Sequence, residues 1–264
     1  TDCNGRICYL DPEVGTAIAV AEACRNLSVT GAVPVALTDG LNFGNPETPD
    51  VQFQLNESIA GMSRAAEAFG IPIVSGNASM YNQSAGKDIY PTPIIGSLGL
   101  LEDVEKHSTA GFKSKGDVIV LLGTDSVWDD IDGLAGSEYL DFIHRKVEGQ
   151  PKLDLELEIR TQAACREAIA SGLVASAHDV SDGGVAIAIA ESAVIGGIGA
   201  TITEGPGDRW DAAMFGESQS RILLSVSQEN LKKLEAVTGF SNVPMTVIGT
   251  VGGDSLSFGD SISV

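Results

Sequence analysis

Residues 36–46, Ala-Leu-Thr-Asp-Gly-Leu-Asn-Phe-Gly-Asn-Pro, gather the side chains best suited to chemistry. Asp39 offers a carboxylate and Asn42 and Asn45 offer amides, all within seven residues. Gly40 and Gly44 free the backbone where a Cβ would obstruct a ligand. An apolar run, Val33 to Leu37, predicts the strand that delivers the chain to this segment. The same residue types also make a plain polar turn. A second stretch has the same character: Gly76-Asn77-Ala78-Ser79 follows the short buried strand predicted over 71–74. Gly76 lets the backbone approach a ligand, Asn77 offers an amide oxygen to a metal, and Ser79 offers a hydroxyl. Gly-Asn is also a turn dipeptide. Two polar strand ends in one small domain are more telling, because ligands of open sheets with helices collect outside strand ends.

Two further stretches could carry chemistry. His178-Asp-Val-Ser-Asp-Gly-Gly184 is a predicted strand-to-helix turn whose exposed amides suit a phosphate. The competing reading is that Asp182 caps the helix and His178 bonds locally. Phe215-Gly-Glu-Ser-Gln-Ser-Arg221 precedes a strand, and Glu217, Gln219 and Arg221 either orient a substrate or tie loops together.

Composition limits the function classes. The 264 residues carry 36 acidic against 16 basic side chains, a net charge of −20. Such a surface repels nucleic acid, and no basic stripe offsets it. An anionic ligand must then be held by backbone amides, a metal or a partner's cations. Cys3, Cys8, Cys24 and Cys165 lack C-x-x-C spacing, which reads as reduced thiols in a cytoplasmic protein and argues against zinc. No apolar run is long enough to cross a membrane. The chain opens at Thr1 close to strand-like sequence and reads as a piece of something longer.

The positioning elements follow from periodicity. Arg6 to Leu10 predicts a short strand. Asp11 and Pro12 then supply a cap and a first helical residue, with Val14, Ala17, Ile18, Ala21, Cys24 and Ser28 on one face. Thr48-Pro49 repeats that start, and Leu55, Ile59, Met62, Ala66 and Phe69 mark a second amphipathic helix. Pro91 to Leu101 predicts a long strand. Residues 1–104 form a first domain, and the polar stretch 102–116 marks the boundary to a second over 105–264. In the second, strands are predicted over 118–122, 174–177, 200–203, 221–226 and 246–251. Helices are predicted over 137–147, 155–172, 185–195 and 228–237, with Ile159, Ala163, Ile169 and Leu173 inward on the second of these. The fold class is mixed α+β.

Taken in order, T-D-x-L-N-F-G-N-P, G-N-x-S-x-Y-N, Y-P-T-P, H-D-V-S-D-G-G and G-E-S-Q-S-R resemble the second half of phosphoribosylformylglycinamidine synthase. The opening D-C-N-G-R and Y-L-D-P-E-V-G fit as well. The resemblance implies a two-domain fold of the aminoimidazole ribonucleotide synthetase-like superfamily, an N-type domain forming half of a barrel and a C-type domain. It implies an ATP- and Mg²⁺-dependent ligase that activates the amide oxygen of formylglycinamide ribonucleotide for displacement by ammonia from a glutaminase. By the resemblance, Asp39 and Gly76 contact ATP, Asn77 is a magnesium ligand and Ser79 contacts substrate. The family's catalytic histidine motif belongs to the first half and is absent here, so no residue of this chain is assigned as catalytic. Gly40 stands where relatives often have Asn. The isolated half is expected to be inactive and to pair through residues 1–104, with the first half in the whole enzyme and as a homodimer alone. A non-catalytic, nucleotide-holding or purely structural half is the alternative, and a small-molecule kinase of the same superfamily a more distant one.

Overall fold

In the computed structural model, which describes residues 1–260 and 262–264, two sheets carry the helices. The first part runs α1 (Gly5–Leu10), α2 (Pro12–Ser28), β1 (Val33–Asn42), α3 (Pro49–Phe69), β2 (Ile73–Ser79), the small hairpin β3 (Gln83–Ser84) and β4 (Lys87–Asp88), and β5 (Thr92–Leu100). Its main sheet has the order β2-β1-β5, with β1 parallel to β2 and antiparallel to β5.

Asp11 caps α2 by accepting from the Val14 N–H at 3.0 Å, and Pro12 opens the helix as expected. Helix α2 is buried on almost every side, consistent with its alanines, and packs on α3 through small residues. A Cβ on Gly61 of α3 would overlap the Glu13 backbone, so the two helices approach as closely as a glycine allows. Met62, Ala65 and Ala66 close this core with Ala17, Val20 and Cys24. Ile59, assigned inward by periodicity, is 41 % exposed, because the face that meets α2 is the smaller one of Ser58, Gly61 and Ala65.

Three expectations need correction. Arg6 to Leu10 is helical, not extended: Asn4 Oδ1 accepts from the Arg6 and Ile7 N–H groups at 3.1 Å and nucleates α1. The polar stretches at Asp39 and Gly76 are not loops after strands. They are the carboxyl-terminal halves of β1 and β2, paired in register from Thr38↔Ser75 to Asn42↔Ser79. Cross-strand pairing thus overrides the poor strand propensity of Asp, Gly and Asn.

The second part contains β6 (Val118–Leu122), a 3₁₀ turn (Ile131–Leu134), α4 (Glu138–His144), α5 (Leu155–Ala170), β7 (Val174–Asp179), α6 (Gly184–Gly196), β8 (Ala200–Ile202), α7 (Trp210–Phe215), β9 (Ile222–Val226), α8 (Leu231–Phe240), β10 (Met245–Val251), β11 (Leu256–Phe258) and β12 (Ile262–Ser263). Its sheet has the order β12-β11-β8-β10-β6-β9-β7 and is antiparallel except for the β11–β8 pair. Strands β6 and β9 are buried on both faces, with α6 on one side and α5 and α8 on the other.

The third correction concerns α5. Ile169 and Leu173 are buried as expected, but Ala163 is exposed, and the buried face also carries Glu158, Thr161, Gln162 and Cys165. That face meets α2 through polar contacts. Arg25, fully buried, donates from Nη1 to both Glu158 carboxylate oxygens at 2.8 and 2.9 Å, and from Nη2 to Gln219 at 3.0 Å and Glu22 at 3.3 Å. Gln162 Nε2 donates to Glu158 and to the Ala21 carbonyl, and Ser28 Oγ bonds Gln162 Oε1. A buried ion pair of this kind joins the two parts of the chain in one arrangement, since both Nη groups of Arg25 have specific partners to find.

Candidate nucleotide-facing site

The register of β1 and β2 brings the four candidate residues into adjacent rows. Asp39 lies opposite Gly76, Gly40 opposite Asn77, and Asn42 opposite Ser79. Because strand side chains alternate, these rows use both faces of the sheet. On the helix-covered face the Asp39 carboxylate leans over Gly76 so closely that a Cβ there would overlap it. On the open face, a Cβ at Gly40 would stand 3.3 Å from Asn77 Oδ1 and 3.8 Å from Asn42 Nδ2. Asn77 is exposed, and Ser79 bonds Asn82 at 3.2 Å. The structure therefore places the four residues on neighbouring strands but not in one hollow: Asp39 and Gly76 face one way, Asn77 and Ser79 the other.

The row through Asp39 continues. Ile95 of β5 pairs with Asp39 on one side and with Asp2 on the other, the latter through reciprocal backbone bonds of 2.9 Å. Two strand spacings put Asp2 about 10 Å from Asp39 on the same face. The charges of Asp182 and Arg25 reach Asp2, and those of Asp2, Asp179 and Asp182 reach Glu22, so the start of the chain, α2 and the 178–184 loop bring their ionisable groups close together. Sequence reasoning singled out the 178–184 loop, but not Asp2, Glu22 or Arg25; no local pattern marks residues whose partners are so far along the chain.

The electrostatics of this cleft are dominated by burial and acidity. Burial, then the charge of Asp182, pushes the Asp2 carboxyl up to about 6 despite Arg25. Burial also raises Glu22 and Asp182, with neighbouring carboxylates adding to the effect. Asp39 is raised by burial alone. Burial opposes the charged form of His178 as well, but the hydrogen bond and charge of Asp179 and the charge of Glu191 outweigh it and raise the imidazole. Its Nε2 lies 3.0 Å from Glu191 and its Nδ1 3.5 Å from Asp179. Asp179 is 6 % exposed; burial disfavours its charge, yet the hydrogen bond from His178 and the positive charge of Arg25 hold it below its ordinary value.

The Phe215–Arg221 stretch does not line this cleft as a free donor set; it supports the 178–184 loop. Arg221 donates to the Ser218 and Gly216 carbonyls at 2.9 and 2.8 Å and pairs with Asp129 at 2.9 Å. Gln219 is engaged by Arg25. Asp129 in turn accepts from Ser218, so the acidic stretch around 124–132 is tied into the fold rather than arranged around a cation. Among the described residues, no group of three His, Cys, Asp or Glu side chains is arranged to hold a metal ion.

Comparison with known proteins matches this architecture. Residues 1–101 fit the family model "AIR synthase related protein, N-terminal domain" and residues 114–260 fit "AIR synthase related protein, C-terminal domain". The chain is 49 % identical over 256 residues to phosphoribosylformylglycinamidine synthase subunit PurL of Moorella thermoacetica, covering 97 % of this chain and 34 % of that protein. It therefore spans about a third of the length of the curated relatives it matches. PurL of Thermotoga maritima complexed with FGAR superposes with a TM-score of 0.80 over the whole chain and 44 % of the other, at 19 % identity. The same protein complexed with ATP gives 0.73, with 99 % and 41 % covered at 20 % identity. At these identities the structures speak for the fold, mixed α/β in two parts. The chain belongs to the AIR synthase related protein family, and nearly all of it is similar to a third of PurL.

Proposed function

We propose that the chain is the carboxyl-terminal pair of domains, 1–104 and 105–264, of a cytoplasmic phosphoribosylformylglycinamidine synthase, an ATP-dependent ligase of purine biosynthesis. The observation that carries this reading is the 49 % identity of 97 % of the chain to a third of a phosphoribosylformylglycinamidine synthase subunit, with both family models matched in order. Asp39 and the Gly76 backbone serve the nucleotide on the helix-covered face. Asn77 and Ser79 serve magnesium and the formylglycinamide ribonucleotide from the open face, where Asn77 is exposed.

Asn77 offers magnesium a single amide oxygen on the open face, the face opposite to the Asp39 carboxylate. Mg²⁺ is ordinarily held by one or two protein oxygens, with water and phosphate oxygens completing its shell. When bound, it offsets phosphate charge while ATP supplies the activating phosphoryl group. The carboxylates of Asp2, Glu22, Asp179 and Asp182 act on one another and would repel a bare polyphosphate brought near them, an effect that a cation offsets.

The open face supports pairing. Val74, Ile94, Leu98 and Leu100 are 65, 44, 65 and 56 % exposed on the three-stranded sheet. Contiguous apolar surface of this kind is covered in working assemblies. The first half of the same enzyme covers it in the complete protein, a second copy when the chain is alone, and a glutaminase delivers ammonia to the assembly. Calorimetric titration of the chain with magnesium-ATP tests the nucleotide reading. Binding that Asp39→Ala weakens about tenfold supports it; no heat with the unaltered chain leaves the half a structural support.

A further inference from the structure

Glu217 is a buried carboxylate that the proposed chemistry does not use. It is 6 % exposed, and its Oε1 accepts two backbone N–H groups, from Gly183 at 2.8 Å and from Glu138 at 2.9 Å. Those amides lie 34 residues before it and 79 residues before it. Gly183 precedes α6 and ends the 178–184 loop; Glu138 opens α4. One oxygen thus fastens two separate chain segments together.

The backbone around Glu217 is fixed in turn. Its own N–H donates to the Gly133 carbonyl at 2.7 Å, and Arg221 and Asp129 hold residues 216–218 from below. Gly183 and Gly184 have φ of 78° and 69°, in the left-handed region that favours glycine. A Cβ on Gly184 would overlap the Gly216 carbonyl, so the loop lies directly on the segment that carries Glu217. Val180 N–H donates to the Arg221 carbonyl at 3.1 Å, which seats the middle of the loop on the same support. Without an acceptor at Glu217, the Gly183 and Glu138 amides would be left unpaired beside a loop with two consecutive left-handed residues. Removing a partner from a buried donor is costlier than never having had the bond.

We propose that Glu217 is a positioning residue for the nucleotide-facing cleft: by holding Gly183 and Glu138 on one oxygen it sets where the 178–184 loop, with Asp182, meets an incoming ligand. The inference rests on the nucleotide reading for its ligand but not for its clamp.

The test uses the whole chain with Glu217→Ala, Glu217→Gln and Glu217→Asp, read by amide hydrogen exchange and by magnesium-ATP calorimetry. Glu217→Ala should speed exchange at Gly183 and Glu138 by tenfold or more and raise Kd by a similar factor. Glu217→Gln keeps an acceptor oxygen and should restore both to near the parent values. Glu217→Asp, one methylene short, should hold one amide and fall between; it carries the test if the alanine variant does not fold. Asp39→Ala should weaken binding about tenfold and leave exchange at Gly183 unchanged. Unaltered exchange at both amides in the alanine and aspartate variants overturns the clamp. Faster exchange with unaltered affinity overturns the positioning role. An unaltered chain that binds no magnesium-ATP overturns the nucleotide reading and the ligand half of the proposal, and exchange then decides the clamp by itself.

Discussion

The carboxylate of Asp39 occupies the space in which a Cβ on Gly76 would stand. The two residues are cross-strand neighbours in a parallel pair, so the glycine is a condition for the carboxylate's position. Gly76 has no positive φ, so an alanine there is strained only by that contact. Gly76→Ala should therefore leave the fold intact and displace Asp39. Nucleotide affinity should fall about tenfold, some 1.4 kcal/mol, as in Asp39→Ala. Combining the two should add nothing further, because both act on one contact. Additive losses in calorimetry would show that Gly76 acts independently of Asp39.

Arg25 and Glu158 are both fully buried and face each other across the α2–α5 contact. Removing one partner leaves an uncompensated charge, a loss of about 3–5 kcal/mol. Arg25→Met should lower the urea midpoint accordingly. Arg25→Met with Glu158→Leu should recover much of the loss, because no charge remains buried at that contact. Glu22 and Gln219 also bond Arg25, so recovery should be incomplete. A double variant no more stable than the single one would sink this account.

Leu98 is the most exposed of the apolar side chains on β5. If the sheet is covered by a second copy in the isolated protein, Leu98→Glu should convert a dimer to a monomer in light scattering. Stability of the monomer should change by less than about 0.5 kcal/mol, as for other exposed substitutions. A parent chain that is monomeric at micromolar concentration contradicts the pairing.

How much of this was legible in the sequence depended on whether a residue's partner was local. The Asp11-Pro12 start of α2 was readable because cap and first turn are adjacent in the chain. Asn4 is an equally local cap, yet the apolar run after it also suits a strand, and only the cap bonds mark α1 as a helix. Asp39 to Asn42 is of residue types that avoid strands, and only its partners in β2 and β5 make it extended. On α5 the hydrophobic period finds the buried Ile169 and Leu173 but misplaces Ala163 and passes over Glu158 and Gln162, whose partners lie on α2. Glu217 stands out in the sequence only as a polar residue before a strand, because its two amides lie in other segments and leave no mark on its neighbours.

Glu217 also makes a prediction about pH. Burial pushes its carboxyl up to about 7, outweighing the two amides, with Asp182 and Glu138 adding to the shift. Arg6 and Arg221, the cations that face it, do not reverse this. The folded state therefore holds a proton that the unfolded chain releases near 4.5. Stability from this group is full below that value and is lost as pH rises through about 7. A shift of this size corresponds to roughly 3 kcal/mol over the window. Asp2, Glu22, Asp182 and His178 are raised as well, so the whole cleft should lose stability in the same direction. Asp179 is lowered, and its contribution disappears only on further acidification. Glu217→Gln keeps an amide acceptor and cannot ionise, so it should flatten the fall measured by urea unfolding between about pH 5 and 8. It should be more stable than the parent chain at the alkaline end and no better at the acidic end. Superimposable pH profiles for the two proteins would mean that the carboxyl is not protonated in the folded state.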